Sequence, residues 1–302
     1  MFCFKYYGMT TPRGRALVIN NYRYRNPYDI REGSEYDVNN TQALLEGLNI
    51  IVTVQHDLSR TEILQALQDE TLMMSHRQHG IFFFFFFGHG SEGNIIYGTN
   101  WEPVNLNEIY HLLGPTRFKT FAGKPKVVII QACRNRLSNR NVTTAPAAVN
   151  PAFRALHEDF QKFRSCFKRW LSNSAVRPTP ASSLSIDDFL IFRNFVKSWL
   201  SMRNARTLPP DVKDFLIFHS CFENQRSLRR HTVGSLFIRT VVKTLMKHCC
   251  HRDLNTLFKI VQDRVQSITD RSPRDYDPQM PTVENLLTRC RQILLFPEYN
   301  GE

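Results

Sequence analysis

The stretch IFFFFFFGHG, residues 81–90, sets seven consecutive apolar side chains before a histidine flanked by glycines. A strand with one wet face alternates apolar and polar residues, so an unbroken run marks a strand covered on both faces. A second stretch has the same build. KVVIIQACRN, residues 126–135, carries apolar, mostly β-branched residues into Gln131, Ala132 and Cys133. Helical patterns and further strands surround these runs. RALVINNY (15–22) and NIIVTV (49–54) read as strands, and LNEIYHLL (106–113) as a helix. YDVNNTQALLEGL (36–48) spaces Val38, Leu44, Leu45 and Leu48 as a helix does. SRTEILQALQDETLMM (59–74) opens with the capping box Ser59 and Glu62, then carries Ile63, Leu64, Leu67 and Leu72 on one face. Strands alternating with helices predict an α/β fold, with a mostly parallel sheet and helices on both its faces.

The rest of the chain divides by composition. Residues 134–153 and 171–185 are rich in Asn, Ser, Pro and Ala, which predicts an exposed linker over 137–187 with a helix near 153–171. Patterning then resumes with DFLIF as a strand, helices over VGSLFIRTVVKTLMKH (233–248) and LNTLFKIVQDRV (254–265), and QILLF (292–296) as a last strand. One segment occurs twice. DFLIFRNFVKSWLSMRN starts at Asp188 and DFLIFHSCFENQRSLRR at Asp214, with seven of seventeen positions identical. Two copies do not make a solenoid, so a local duplication is expected.

Composition excludes several classes. The longest apolar run is 81–87, far short of the roughly 18 residues that suggest a membrane span. The first residues lack the features of a secretory signal, so an intracellular, cytoplasmic protein is expected. Seven scattered cysteines with no C-x-x-C pair predict neither a disulfide framework nor a structural metal site. The formal charge of +12 is uneven. Residues 1–136 hold 14 Lys and Arg against 12 Asp and Glu, whereas 137–302 hold 25 against 15. These basic residues form no dense run, which predicts a solvated basic surface and no nucleic-acid partner.

Sites in open parallel sheets form at the carboxyl ends of strands. His89 and Cys133 each follow such a strand. A lone strand-end cysteine is usually a small hydrophobe, and a lone histidine between glycines usually a turn residue. Together, on two strand ends, they fit a nucleophile and a general base. The glycines beside His89 leave space for a substrate backbone, and the Gly90 and Cys133 N–H groups can face a developing oxyanion.

These residues resemble the caspases, cysteine proteases that cut after aspartate. QACRN with GHG upstream is similar to the family's cysteine and histidine motifs. PRGRALVINN, REGSEYDVNN, GSEGNIIYGT, FAGKPKVVIIQAC, DFLIF, VGSLFI and LLFP follow in family order. The resemblance implies a caspase-like sandwich with a central six-stranded sheet. It implies a large-subunit region at 1–136, an intersubunit linker at 137–187 and a small-subunit region at 188–302 holding both copies of the duplicated segment (188–204 and 214–230). Cys133 would be the nucleophile, His89 the proton carrier, and Gly90 an oxyanion donor with Cys133. Arg31, Gln131, Ser227 and Arg229 would bind the aspartate, because a buried carboxylate needs charge-assisted, preferably bidentate donors. Arg203 in the first copy competes with Arg229, and Arg229 is preferred because it keeps Pro209 and Pro210 upstream and a helix downstream.

The resemblance further implies a zymogen cut in its linker, with Asp159 and Asp187 as candidates, and a homodimer of processed subunits. It would act on proteins with an exposed Asp in cell-death or inflammatory signalling, with no cofactor. The short stretch ahead of Pro12 predicts no adaptor-binding prodomain. The alternative is a catalytically weak homologue that binds and regulates other caspases. Departures from the family pattern are Asn135 in place of a glycine, Gly88 in place of a small hydroxyl residue, and Leu228 and Leu236 in place of pocket aromatics.

Overall fold

The computed structural model describes residues 5–25, 29–135, 212–271 and 278–297. Six strands form the main sheet: β1 Gly14–Asn20, β2 Ile50–His56, β3 Ile81–Phe87, β4 Lys126–Gln131, β5 Phe215–His219 and β6 Thr282–Leu286. Their spatial order is β6-β5-β4-β3-β1-β2. Every neighbouring pair is parallel except β6 against β5. Among the described residues, helices α1 Ser34–Gly47, α4 Leu236–His248 and α5 Leu254–Asp270 cover one face. Helices α2 Arg60–Leu72 and α3 Leu106–Leu112 cover the other. The fold is the expected α/β sandwich.

β3 is the centre of this arrangement. None of its seven residues is more than 2% exposed, so both faces are covered. Phe83, Phe85 and Phe87 join the core beneath α1, α4 and α5, and Phe82, Phe84 and Phe86 join the core beneath α2 and α3. One strand thus feeds both cores, and each buried ring contributes about 2–3 kcal/mol of transfer free energy. Ser59 caps α2 with the reciprocal bonds of a capping box, as its sequence predicts.

One expectation at the chain's end needs correcting. QILLF does not enter the main sheet. Only Arg291–Gln292 is strand, paired in parallel with Lys5–Tyr6. Ile293, Leu295 and Phe296 bury their side chains in the core without strand pairing. The sixth strand is instead TVENL, an edge strand of half-buried residues. The copy of DFLIF that enters the sheet is the one at 214, as β5. The copy at 188, Arg203, the linker and both Asp159 and Asp187 lie outside the described residues.

Candidate active site

Strand register delivers the two reactive side chains to one place. Phe87 of β3 stands opposite Gln131 of β4. His89 and Cys133 each follow two residues later, so both emerge at the same level of the sheet edge. The Gly88 N–H donates to the Gln131 carbonyl at 3.2 Å, extending the pairing one step. Beyond it the two turns touch. A Cβ on Gly90 would lie 2.7 Å from the Cys133 carbonyl oxygen and 3.0 Å from the Ala132 Cβ. Gly90 is therefore required for close approach of the two backbones.

The histidine turn is held from its far side. The Tyr24 hydroxyl accepts the His89 N–H at 2.8 Å and donates to the Tyr97 carbonyl at 3.3 Å. The His89 ring stacks on Trp101 at 5.2 Å and meets Tyr24 edge-on at 4.6 Å. Gly88 has its own reason. A Cβ there would lie 2.3 Å from the Phe86 ring and 2.9 Å from the Tyr24 hydroxyl, so a side chain does not fit without displacing them. Burial, and then the charges of Arg31 and Arg229, pull the His89 imidazole down to about 3, against a backbone hydrogen bond at Asp29. The ring is neutral at pH 7. Its Nε2 is buried and forms no hydrogen bond among the described residues.

The cysteine turn is tied to the loop after β5. The Ser220 hydroxyl donates to the Ala132 carbonyl at 3.0 Å and accepts the Ala132 N–H at 3.3 Å. The Arg134 N–H donates to the Gln225 carbonyl, and its carbonyl accepts the Asn224 N–H, both at 3.0 Å. Cys133 is a half-buried free thiol whose sulfur accepts the Ser227 N–H at 3.4 Å. Asn135 is not among the described residues with positive φ, so this turn does not need the left-handed freedom of a glycine there.

Beside the thiol lies a positive pocket. Gln131, 1% exposed, donates through Nε2 to the Ser227 hydroxyl at 2.7 Å, and its Oε1 is left without a partner. Arg31 is fully buried, with a long 3.4 Å bond to the Asn21 carbonyl and an unpartnered Nε. Arg229 is half-buried and donates from Nε to the Glu32 carbonyl at 3.0 Å. Among the described residues neither guanidinium forms an ion pair with a carboxylate. Burial lowers both, and the neighbouring charge of Arg31 adds to burial in bringing Arg229 down to about 9. Two desolvated cations side by side are unfavourable alone and favour an incoming anion.

Asp37, which is buried, is a carboxylate whose charge acts on both arginines. Burial pushes its carboxyl up to about 6, against its bonds to Ser235 and the charges of Arg31 and Arg229. Its Oδ1 accepts the Ser235 N–H at 2.8 Å, joining α1 to the turn before α4. Gly33 and Gly234, both at positive φ, let these segments meet. A Cβ on Gly33 would lie 2.3 Å from the Arg230 carbonyl oxygen, and one on Gly234 would lie 2.5 Å from the Asp37 carboxylate.

A family model described as the caspase domain matches residues 13–291. The chain belongs to the caspase family. Caspase-1 of Equus caballus is 28% identical over 286 residues, covering 93% of this chain and 59% of that protein. Caspase-12 of Canis lupus familiaris is 26% identical over 287 residues, with 93% and 62% covered. Cell death protein 3 of Caenorhabditis remanei is 30% identical over 152 residues, with 48% and 29% covered. The chain spans about three-fifths of the length of the first two relatives. Among the described residues no helix is long and apolar enough to cross a membrane, and no cluster of His, Cys, Asp or Glu could hold a metal ion.

The structure thus brings His89, Gly90, Cys133, Gln131, Arg31, Ser227 and Arg229 to one end of this caspase domain. Sequence reasoning did not find Tyr24, Trp101, Ser220 or Gln279. Gln279 is 1% exposed, bonds to the Ser220 carbonyl at 2.7 Å, and accepts the Leu228 N–H at 2.9 Å. No motif marks any of these four. The leucines at the expected aromatic positions face the core, with Leu236 8% exposed and Leu228 packed against the same cluster.

Proposed function

We propose that this caspase-family chain is a cysteine endopeptidase that cleaves after aspartate. The observation that carries this reading is the level register of β3 and β4, which brings the turns of His89 and Cys133 together beside Arg31 and Arg229, neither of which forms an ion pair among the described residues. The substrate aspartate would enter between Arg31 and Arg229 with Gln131 as a wall. Its carboxylate would replace the water these cations lost, a charge-assisted contact in a low-dielectric site.

The neutral His89 acts first as a base. The Cys133 thiol passes its proton to the His89 imidazole while the sulfur attacks the scissile carbonyl carbon. The carbonyl oxygen takes up negative charge, facing the Gly90 and Cys133 N–H groups. His89 then delivers that proton to the leaving amine as the C–N bond breaks and a thioester remains. Water attacks the thioester, His89 takes its proton, and the thiol is restored as the new carboxyl terminus leaves.

The chain organisation follows the same reading. Regions 1–136 and 188–302 would be large and small subunits joined by a linker at 137–187, cut at Asp159 or Asp187 during activation. A homodimer would form along the edge strand β6. Proteolytic signalling in cell death or inflammation, in the cytoplasm, fits relatives named caspase-1 and cell death protein 3. The test is cleavage of fluorogenic peptides with aspartate before the scissile bond, after forced cleavage of the linker. Activity is expected, with loss in Cys133→Ala and in His89→Ala. If intact protein neither cuts these peptides nor is labelled at Cys133 by an aspartyl electrophile, the reading falls and a regulatory homologue takes its place.

A further inference from the structure

A second positive cavity opens beside the histidine turn. It has a volume of about 340 Å³ and is lined by Arg23, Tyr24, Arg25, Thr99 and Asn100. That is at the small end for ligand sites and suits one or two side chains better than a cofactor. Arg23 and Arg25 are both exposed. Arg25 is fixed through its backbone, its N–H donating to the Thr99 carbonyl at 2.9 Å. The Arg23 N–H donates to Asp57 Oδ1 at 2.7 Å, and the Arg23 guanidinium lies 5.9 Å over the Tyr22 ring. Asp57 is the carboxylate beneath this loop, and its Oδ1 also accepts the Tyr22 N–H at 2.7 Å. It anchors backbone and forms no ion pair with either arginine among the described residues.

The location gives the cavity its meaning. Tyr24 is both its wall and the support of His89, bonded to the His89 N–H and packed on the His89 ring. Thr99 and Asn100 directly precede Trp101, the other ring against His89. The cavity therefore borders the group that protonates the leaving amine. The chain beyond the scissile bond departs on that side, whereas the aspartate pocket is built by Arg31, Gln131 and Arg229 across the thiol. The neutral polar side chains of Thr99 and Asn100 complete a lining that, among the described residues, carries two positive charges and no negative one.

We propose that this cavity is a leaving-group subsite that selects substrates with an acidic side chain shortly after the scissile bond. The proposal rests on the protease reading above. Arg23 and Arg25 supply the charge, and Tyr24 couples the bound segment to the position of His89. Because the arginines are exposed, the contact is a screened one and weakens as salt rises.

The test uses matched peptides with a fixed aspartate before the scissile bond and Glu, Ala or Lys in the two positions after it. The linker-cut protein is expected to give kcat/KM values about fivefold higher for Glu than for Ala, and lower again for Lys, as a pair of exposed ionic contacts allows. Raising ionic strength should shrink the ratio. In Arg23→Ala/Arg25→Ala the Glu-to-Ala ratio should fall to about one, and in Arg23→Glu/Arg25→Glu the order should invert in favour of Lys. Both variants change exposed side chains, and a thermal melt matching the parent confirms that they fold. A Glu-to-Lys ratio near one in the parent, or one unmoved by charge reversal, overturns the subsite.

Binding separates this inference from the protease reading. Fluorescein-labelled Glu and Lys peptides are titrated against Cys133→Ala protein by anisotropy. If the parent cuts nothing but Cys133→Ala binds the Glu peptide more tightly and loses that preference on charge reversal, the subsite stands and the protease reading falls. If the parent cuts all peptides equally and binding shows no preference, the subsite alone falls.

Discussion

Replacing Gly90 by alanine probes how closely the two reactive turns must approach. The added Cβ would sit 2.7 Å from the Cys133 carbonyl oxygen, 2.9 Å from the Ile95 carbonyl oxygen and 3.0 Å from the Ala132 Cβ. Ordinary contact begins near 3.4 Å, so these neighbours must retreat by about 0.4–0.7 Å. Two of the three are backbone atoms, and rotamer change cannot relieve them. The retreat moves Cys133 away from the histidine turn, while the Gly88 bond to Gln131 and the Tyr24 bond to His89 hold that turn in place. A misplacement approaching 1 Å costs about a hundredfold in a reaction that depends on alignment, so kcat/KM should fall about 30- to 100-fold. Stability should fall by about 1–3 kcal/mol, as for other overpacking substitutions. Gly8→Ala is the control, because nothing lies within 4 Å of its new Cβ. The assay is kcat/KM on an aspartate peptide alongside a urea titration of each variant. A Gly90→Ala protein within threefold of the parent in kcat/KM would refute the reasoning, because the turns would then not need this contact.

Asp37 should leave a signature in the pH dependence of stability. Its folded value of about 6 lies above the ordinary 3.8, so its contribution is fully present below about pH 4 and is lost as pH rises through 6. Two units correspond to at most about 3 kcal/mol. Urea titrations of parent and Asp37→Asn should therefore diverge by up to about 2 kcal/mol between pH 4.5 and 7.5, with the parent losing ground; parallel curves would remove the raised carboxyl from the account. His89 moves the other way, since a lowered imidazole stabilises above about 6.5 and is lost as pH falls towards 3, which is why the variant difference is the useful quantity. Away from the site, Glu70 holds Arg15 through Nε and Nη2, both at 2.8 Å, and bonds to His76 at 3.0 Å, with 2% of its own surface exposed. Glu70→Ala strands the buried His76 and the partly buried Arg15 and should cost about 3–5 kcal/mol by urea unfolding; a loss under about 1 kcal/mol would show that the network is solvated.

What could be read from the chain was what repeats along it. Seven apolar residues at 81–87 announce a strand covered on both faces, and the following GHG and QAC locate the strand ends where chemistry gathers. The supporting residues carry no such period. Tyr24, Trp101, Ser220 and Gln279 come from four separate loops, and only the strand order β5-β4-β3-β1 brings those loops together. TVENL was missed for a related reason. As an edge strand it is half-buried throughout, so Glu284 and Asn285 are tolerated and no alternation survives, and its pairing is set by β5, with Leu286 opposite Phe215 and Val283 opposite Phe218. QILLF misled in the opposite sense, because its apolar side chains serve the core without needing a ladder. The duplicated DFLIF shows where local pattern ends and context begins. Both copies share the same strand-like pattern in the sequence, and the copy at 214 has partners placed for it. Asp214 accepts from Tyr7 at 2.6 Å and pairs with Arg291 at 3.0 Å, so the residue ahead of β5 ties both the first and the last described segments to the sheet. Those partners lie 207 residues before and 77 residues after Asp214. A contact of that range is decided by topology, and the positive pocket, built from Arg31 on one side and Arg229 on the other, depends on the same long-range closure.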